Sequence, residues 1–207
     1  MISHKYNCIY VHIPKCAGTS ISYAMHNSIH YAWDKERKLW KQHATATEIK
    51  EHYASKEQWN NYFKFAIVRN PFDKIVSSYN WICRRIKPCD LRDRLMFKDF
   101  VFRKGVFEKM FNLDETDLRL NNYHQIRPSV EYLFENNNLL IDYVGKFENL
   151  DDEWDFICEK LGTKIKIPHR NKHSRDYKHY RDYYDDETKE FILKTYKKDL
   201  ETFGYEF

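Results

Sequence analysis

Residues 10–20 read YVHIPKCAGTS and place an ammonium at Lys15, a glycine at Gly18 and hydroxyls at Thr19 and Ser20 within six positions. Glycine allows close backbone approach, a hydroxyl can cap a helix start, and the leading N–H groups with the positive helix end would converge on one anion. The elements needed to hold such a cradle are readable on either side. Ile9, Val11 and Ile13 alternate with less apolar residues, as in a half-buried strand, and Pro14 ends the ladder because it has no N–H to donate. GTSISYAMHNS, residues 18–28, then predicts a helix that Thr19 or Ser20 would cap. Lys15 precedes the glycine, the reverse of the Walker phosphate-loop order, so the loop indicates an anion without identifying it. Cys16 fits better as a small filler of a tight turn than as a reactive thiol.

A second cluster follows the next strong strand. YFKFAIVR, residues 62–69, carries apolar residues on both faces and delivers Arg69 to the carboxyl edge of a sheet, where ligands of parallel α/β sheets bind. Arginine offers a planar fork suited to phosphate. Pro71 suits the first turn of the helix carrying Phe72, Ile75, Val76 and Tyr79 at helical spacing, and Ser77 lies two turns along it. Residues 39–43 predict a short strand, 46–53 a helical piece, 84–126 a mostly helical stretch, and 139–147 another buried strand. Residues 149–161 predict a helix started by Asp151 or Asp152 and ended by Gly162, and residues 185–203 a last amphipathic helix. Strands alternating with helices give an α/β class: one domain over residues 1–207, a central parallel β-sheet flanked by helices.

Composition bounds the function. The 207 residues include 14 Phe, 16 Tyr and 5 Trp, enough to fill one domain core, and only 5 Gly and 5 Pro, too few for long linkers. Neither a membrane span nor a signal-peptide layout is present, so a cytoplasmic protein is expected. The five cysteines (Cys8, Cys16, Cys83, Cys89, Cys158) are scattered, as reduced thiols are. With 35 basic against 31 acidic residues, the formal charge of +4 is too weak a field for a nucleic-acid partner and fits a small anionic ligand better.

YVHIPKCAGTS together with FAIVRNPFDKIVSSY resembles the two nucleotide-binding signatures of sulfotransferases that use 3′-phosphoadenosine-5′-phosphosulfate (PAPS). The branch resembled contains the heparan sulfate 2-O- and chondroitin-type carbohydrate sulfotransferases. The likeness continues through KFENLDDEW, PHRNKHS and the last 23 residues. It implies a P-loop nucleoside-triphosphate-hydrolase-like sulfotransferase fold, PAPS as co-substrate, no metal, and transfer to a hydroxyl of a small-molecule or glycan acceptor. Carried over by position, Lys15, Cys16, Ala17, Gly18, Thr19 and Ser20 would line the 5′-phosphosulfate, Arg69 and Ser77 the 3′-phosphate, and Asn171, Lys172 and Ser174 a loop closing over the nucleotide. Gln125 matches a position near the acceptor.

The chemistry requires a cation at the leaving oxygen, donors for the sulfuryl oxygens and a base for the acceptor hydroxyl. Lys15 suits the first, worth roughly 3 to 4 kcal/mol for a well-placed donor. His43 is the preferred base: imidazole accepts a proton near neutral pH, and the branch resembled uses a histidine from this region. The alternative for His43 is a helix cap before Ala44 or Thr45. His12, His124 and His173 are reserves, and Glu48 is a further candidate for base or acceptor contact. His169 and His173 stand four apart but follow Pro168 in a loop-like tract, which argues against a metal site. Two rivals are a phosphoryl transferase, which needs the lysine after the glycine, and a nucleic-acid module built on residues 169–184, whose basic and aromatic character is countered by Asp176, Asp182 and, directly after it, Asp185 and Asp186.

Overall fold

Four consecutive residues, Cys8 to Val11, are fully buried, and so are Phe65, Ala66, Ile67 and Val68. Such runs cannot face water on either side, so they form the middle of a sheet. The structure is a computed structural model that describes residues 1–26, 33–34, 39–85, 96–111, 122–168 and 178–207. In chain order it contains β1 (Ile2–Ser3), β2 (Cys8–Val11), α1 (Gly18–His26), β3 (Trp33–Asp34), β4 (Leu39–Trp40), α2 (Ala46–Glu48), α3 (Lys56–Asn61), β5 (Phe63–Val68) and α4 (Pro71–Cys83). There follow α5 (Phe97–Phe102), α6 (Tyr123–Ile126), α7 (Val130–Leu133), β6 (Phe134–Glu135), β7 (Asn138–Leu139), β8 (Tyr143–Lys146), α8 (Leu150–Lys160), α9 (Asp186–Thr195) and α10 (Lys197–Phe203). The fold is α/β, with a mostly parallel central sheet ordered β1-β2-β5-β8 in which only β1 runs antiparallel.

The chain forms two compact units, Met1–Arg69 with Ser129–Lys172, and Asn70–Pro128 with His173–Phe207. The first contains the sheet. Val11 pairs with Ala66 and Val68 with Lys146, so the ends of β2, β5 and β8 that carry His12, Arg69 and Phe147 share one edge. β2 is buried on both faces, which corrects the half-buried reading of its alternation; the apolar count missed that Cys8 and Tyr10 would be buried as well. The predicted strand over 139–147 is two elements: β7 closes a hairpin with β6 through Asn136 and Asn137 at positive φ, and β8 joins the sheet. Asp142 sets the start of β8, accepting the Lys64 N–H at 2.7 Å and the Lys64 ammonium at 2.9 Å. Glu153 of α8 accepts the Lys146 N–H at 3.0 Å and bonds the Tyr143 hydroxyl; burial first, then this carboxylate, pushes that phenol up to about 12. A Cβ at residue 145 would stand 2.8 Å from Ile67 Cδ1 and 3.0 Å from Glu153 Oε2, so glycine permits this packing. α8 starts after Asn149 without a side-chain cap, Asp151 and Asp152 lie inside its first turn where they complement the dipole, and Gly162 at φ +64° follows its end.

The second unit is held by an apolar cluster of Phe72, Ile75, Val76, Phe100, Phe107 and Ile192 among others. Pro71 occupies the first turn of α4, and Asn70 caps it by accepting the Phe72 N–H at 3.0 Å. The predicted helix over 185–203 is two helices. Tyr196, at φ −108° and ψ 21°, breaks it because its buried ring carries a hydroxyl bonded to the Ile126 carbonyl. Within the predicted helical stretch 84–126, residues 86–95 and 112–121 lie outside the described residues.

Candidate active site

The loop between β2 and α1 is built by holding its carbonyls. The Cys16 thiol donates to the Pro14 carbonyl at 3.4 Å, the Arg69 Nη1 donates to the Lys15 carbonyl at 2.9 Å, and the Tyr10 hydroxyl donates to the Cys16 carbonyl at 3.4 Å. Lys15 and Ala17 sit at φ 66° and 61°, the left-handed region that L residues occupy at a cost of about 1 to 3 kcal/mol each. Alternating left-handed residues turn peptide N–H groups toward one concavity, the geometry of an anion nest. Helix α1 begins at Gly18, and its first i to i−4 bond runs from the Ile21 N–H to the Ala17 carbonyl at 3.1 Å. The N–H groups of Gly18, Thr19 and Ser20 therefore lead the helix. Thr19 and Ser20 are thus first-turn residues of α1, a correction to their predicted capping role: the left-handed Ala17 starts the helix earlier.

Cys16 is fully buried and serves the turn. Gly18 has a helical backbone, so its requirement is spatial. A Cβ there would lie 1.7 Å from His12 Nε2, inside the imidazole. Arg69 is buried, and its guanidinium carbon stands 4.1 Å from the Phe147 ring centroid. That Arg69 also braces the loop lay beyond local pattern, because Lys15 is 54 residues away.

His43 ends a 3-10 turn, Lys41–His43, that replaces part of the strand predicted over 39–43. Its Nδ1 is 3.2 Å from the His12 carbonyl. A carbonyl only accepts, so Nδ1 carries the hydrogen and the neutral ring holds its basic lone pair on Nε2. His43 is no helix cap. Thr45 caps α2, receiving the Glu48 N–H at 3.1 Å while Glu48 Oε2 accepts the Thr45 N–H at 2.7 Å. The Glu48 carboxylate is thus engaged in a capping box, a role its T-x-x-E spacing signalled. The helical piece predicted over 46–53 continues beyond α2 as a π turn, Ile49–Tyr53.

In the second unit, Ser77 is partly exposed on α4, while the neighbouring Ser78 hydroxyl is buried within reach of the Lys74 and Gln125 carbonyls, at 3.0 and 2.8 Å. Gln125 is buried in α6, its Nε2 2.7 Å from His124 Nε2. Asn171, Lys172, His173 and Ser174 lie outside the described residues, as does His169. Among the described residues, no group of three or more His, Cys, Asp or Glu is placed to hold a metal ion, and no helix is long and apolar enough to cross a membrane.

A sequence profile described as "Sulfotransferase family" matches residues 1–206. The chain belongs to the sulfotransferase family, whose chemistry is sulfuryl transfer. An "Uncharacterized protein" of Archaeoglobus fulgidus (strain ATCC 49558) is 26% identical over 112 residues, spanning 54% of this chain and 78% of that protein. No solved structure matches the chain significantly.

Proposed function

We propose that residues 1–207 act as one sulfotransferase domain that moves the sulfuryl group of PAPS to a hydroxyl of a carbohydrate acceptor, giving adenosine 3′,5′-bisphosphate. The observation that carries this reading is the loop from Pro14 to Gly18. Its carbonyls are tied back by Cys16, Arg69 and Tyr10, and two of its residues are left-handed, a geometry that favours an anion beside the start of α1. Lys15 through Ser20 hold the 5′-phosphosulfate in this proposal, and Arg69 and Ser77 the 3′-phosphate. Asn171, Lys172 and Ser174 keep the closing role implied by resemblance, and Gln125 meets the acceptor. PAPS supplies a sulfuryl group activated by its bond to the 5′-phosphate.

His43 takes the acceptor proton on Nε2 as the acceptor oxygen bonds to sulfur and the bond from sulfur to the bridging oxygen breaks. The Lys15 ammonium meets the charge left on that bridging oxygen. A backbone carbonyl on Nδ1–H supports the imidazolium as it forms, so His43 fits this work better than Glu48, whose Oε2 already accepts the Thr45 N–H.

The test is thermal melting with adenosine 3′,5′-bisphosphate in the absence of Mg²⁺, against ATP with Mg²⁺, followed by transfer from labelled PAPS to a panel of glycans and small alcohols. Ligand at 100 times its Kd stabilises by about 2.7 kcal/mol. Stabilisation by the bisphosphate and label on a glycan support the proposal. Stabilisation by ATP with Mg²⁺ alone overturns it in favour of a phosphoryl transferase.

A further inference from the structure

The imidazole of His12 stands at the centre of the first unit's site. It is 7% exposed, stacked on Tyr10 at 5.6 Å and 17°, and its centroid lies 4.6 Å from that of His43 with the planes 59° apart. Tyr10 in turn stacks on Phe65 at 5.1 Å. An aromatic column thus runs from the sheet core, through two residues of one strand face, to the proposed base. We infer that His12 is a positioning residue for the reaction proposed above: its carbonyl selects the Nδ1–H form of His43, its ring fixes the plane of that imidazole, and the same ring requires glycine at residue 18.

His43 is partly exposed on a short 3-10 turn, with its Nδ1 on the His12 carbonyl at 3.2 Å. The His12 ring acts on the plane of that imidazole as well, because the two centroids are at packing distance. Tyr10 keeps His12 from retreating: it packs on the ring while its hydroxyl holds the Cys16 carbonyl. On its remaining side His12 covers Gly18, where a Cβ would come within 1.7 Å of Nε2 and 2.0 Å of Cδ2. One side chain therefore lies against both the start of α1 and the base.

Two readouts test this without assuming any activity. In ¹⁵N spectra, neutral His43 carries its proton on Nδ1 in the wild type and in H12F, whose ring preserves the contact; H12A keeps the carbonyl but lets the imidazole turn away from it, and loses that single tautomer. In melting, G18A falls far below the wild type, and H12A/G18A recovers part of the loss because the vacated ring makes room for the new methyl group. In turnover, H12A lowers kcat about 100-fold, the scale of a misplaced catalytic group, with the KM for PAPS little changed, and H12F recovers most of that loss. A His43 proton on Nε2, or a G18A protein that melts like the wild type, overturns the inference. So does H12F as inactive as H12A, which would put the chemistry on a His12 nitrogen. If the wild type neither binds adenosine 3′,5′-bisphosphate nor transfers sulfate, the proposed function fails while the tautomer and melting readouts still decide the role of His12.

Discussion

Replacing Arg69 with methionine isolates what its charge does for the loop. Methionine keeps an unbranched apolar stem against Phe147 but removes the donor that holds the Lys15 carbonyl at 2.9 Å. A hydrogen bond from a charged donor contributes about 1.5 to 3 kcal/mol, and the cation over the Phe147 face about 0.5 to 2. Removing a buried charge also relieves part of its desolvation cost, so the net loss expected for R69M is about 2 kcal/mol. For a chain of this length that lowers Tm by roughly 4 to 8 °C. R69A, which also strips the stem from Phe147 and leaves a cavity, loses about 3 to 5 kcal/mol. The assay is urea unfolding without nucleotide, comparing midpoints at unchanged m. An R69M protein within about 0.5 kcal/mol of the wild type, below the range for a charged hydrogen bond, refutes the bracing role. Adenosine 3′,5′-bisphosphate titrations on R69K, which retains charge without the planar fork, then report the proposed 3′-phosphate contact separately.

Under the proposed function, H43A lowers kcat about 100- to 10,000-fold with nucleotide affinity little changed, and K15A lowers it about 100- to 1,000-fold; normal turnover in either variant removes that residue from the chemistry. E48A costs about 1 kcal/mol through loss of the capping box and leaves kcat in place, so a collapse of kcat in a folded E48A protein would return Glu48 to the acid–base role. The Thr188 hydroxyl and N–H, then Lys98, lower the Asp185 carboxyl from 3.8 to about 2. A lowered folded pKa stabilises above the unfolded value and is lost as pH falls through the folded one, so the Tm gap between the wild type and D185N should shrink from about pH 4 to pH 2. A gap that stays constant across that window contradicts the assignment.

The strand, loop and helix around Lys15 were legible because their signals are local: Pro14 stops a ladder, Gly18 follows, and helical spacing resumes within three residues. The end of β5 at Arg69 was legible for the same reason, since FKFAIV is apolar on both faces and Pro71 marks the next helix. What escaped depends on partners distant in sequence. Gly18 looked like an opening for an anion, yet the atom nearest to its missing Cβ belongs to His12, six residues earlier and just past the end of β2. The break at Tyr196 is set by the carbonyl of Ile126, 70 residues away, which no helical periodicity can report. The capping box of Thr45 and Glu48 was readable in its spacing, and weighing Glu48 for catalysis obscured it.

The tied carbonyls of Pro14, Lys15 and Cys16 also bear on the kinetics of capture. A loop already held in its strained form by Arg69, Tyr10 and its own cysteine has little left to order when an anion arrives. Under the proposed function, the capture step at this loop then has an observed rate that climbs in proportion to nucleotide concentration. Differences among bound nucleotides would consequently lie in how long each one stays.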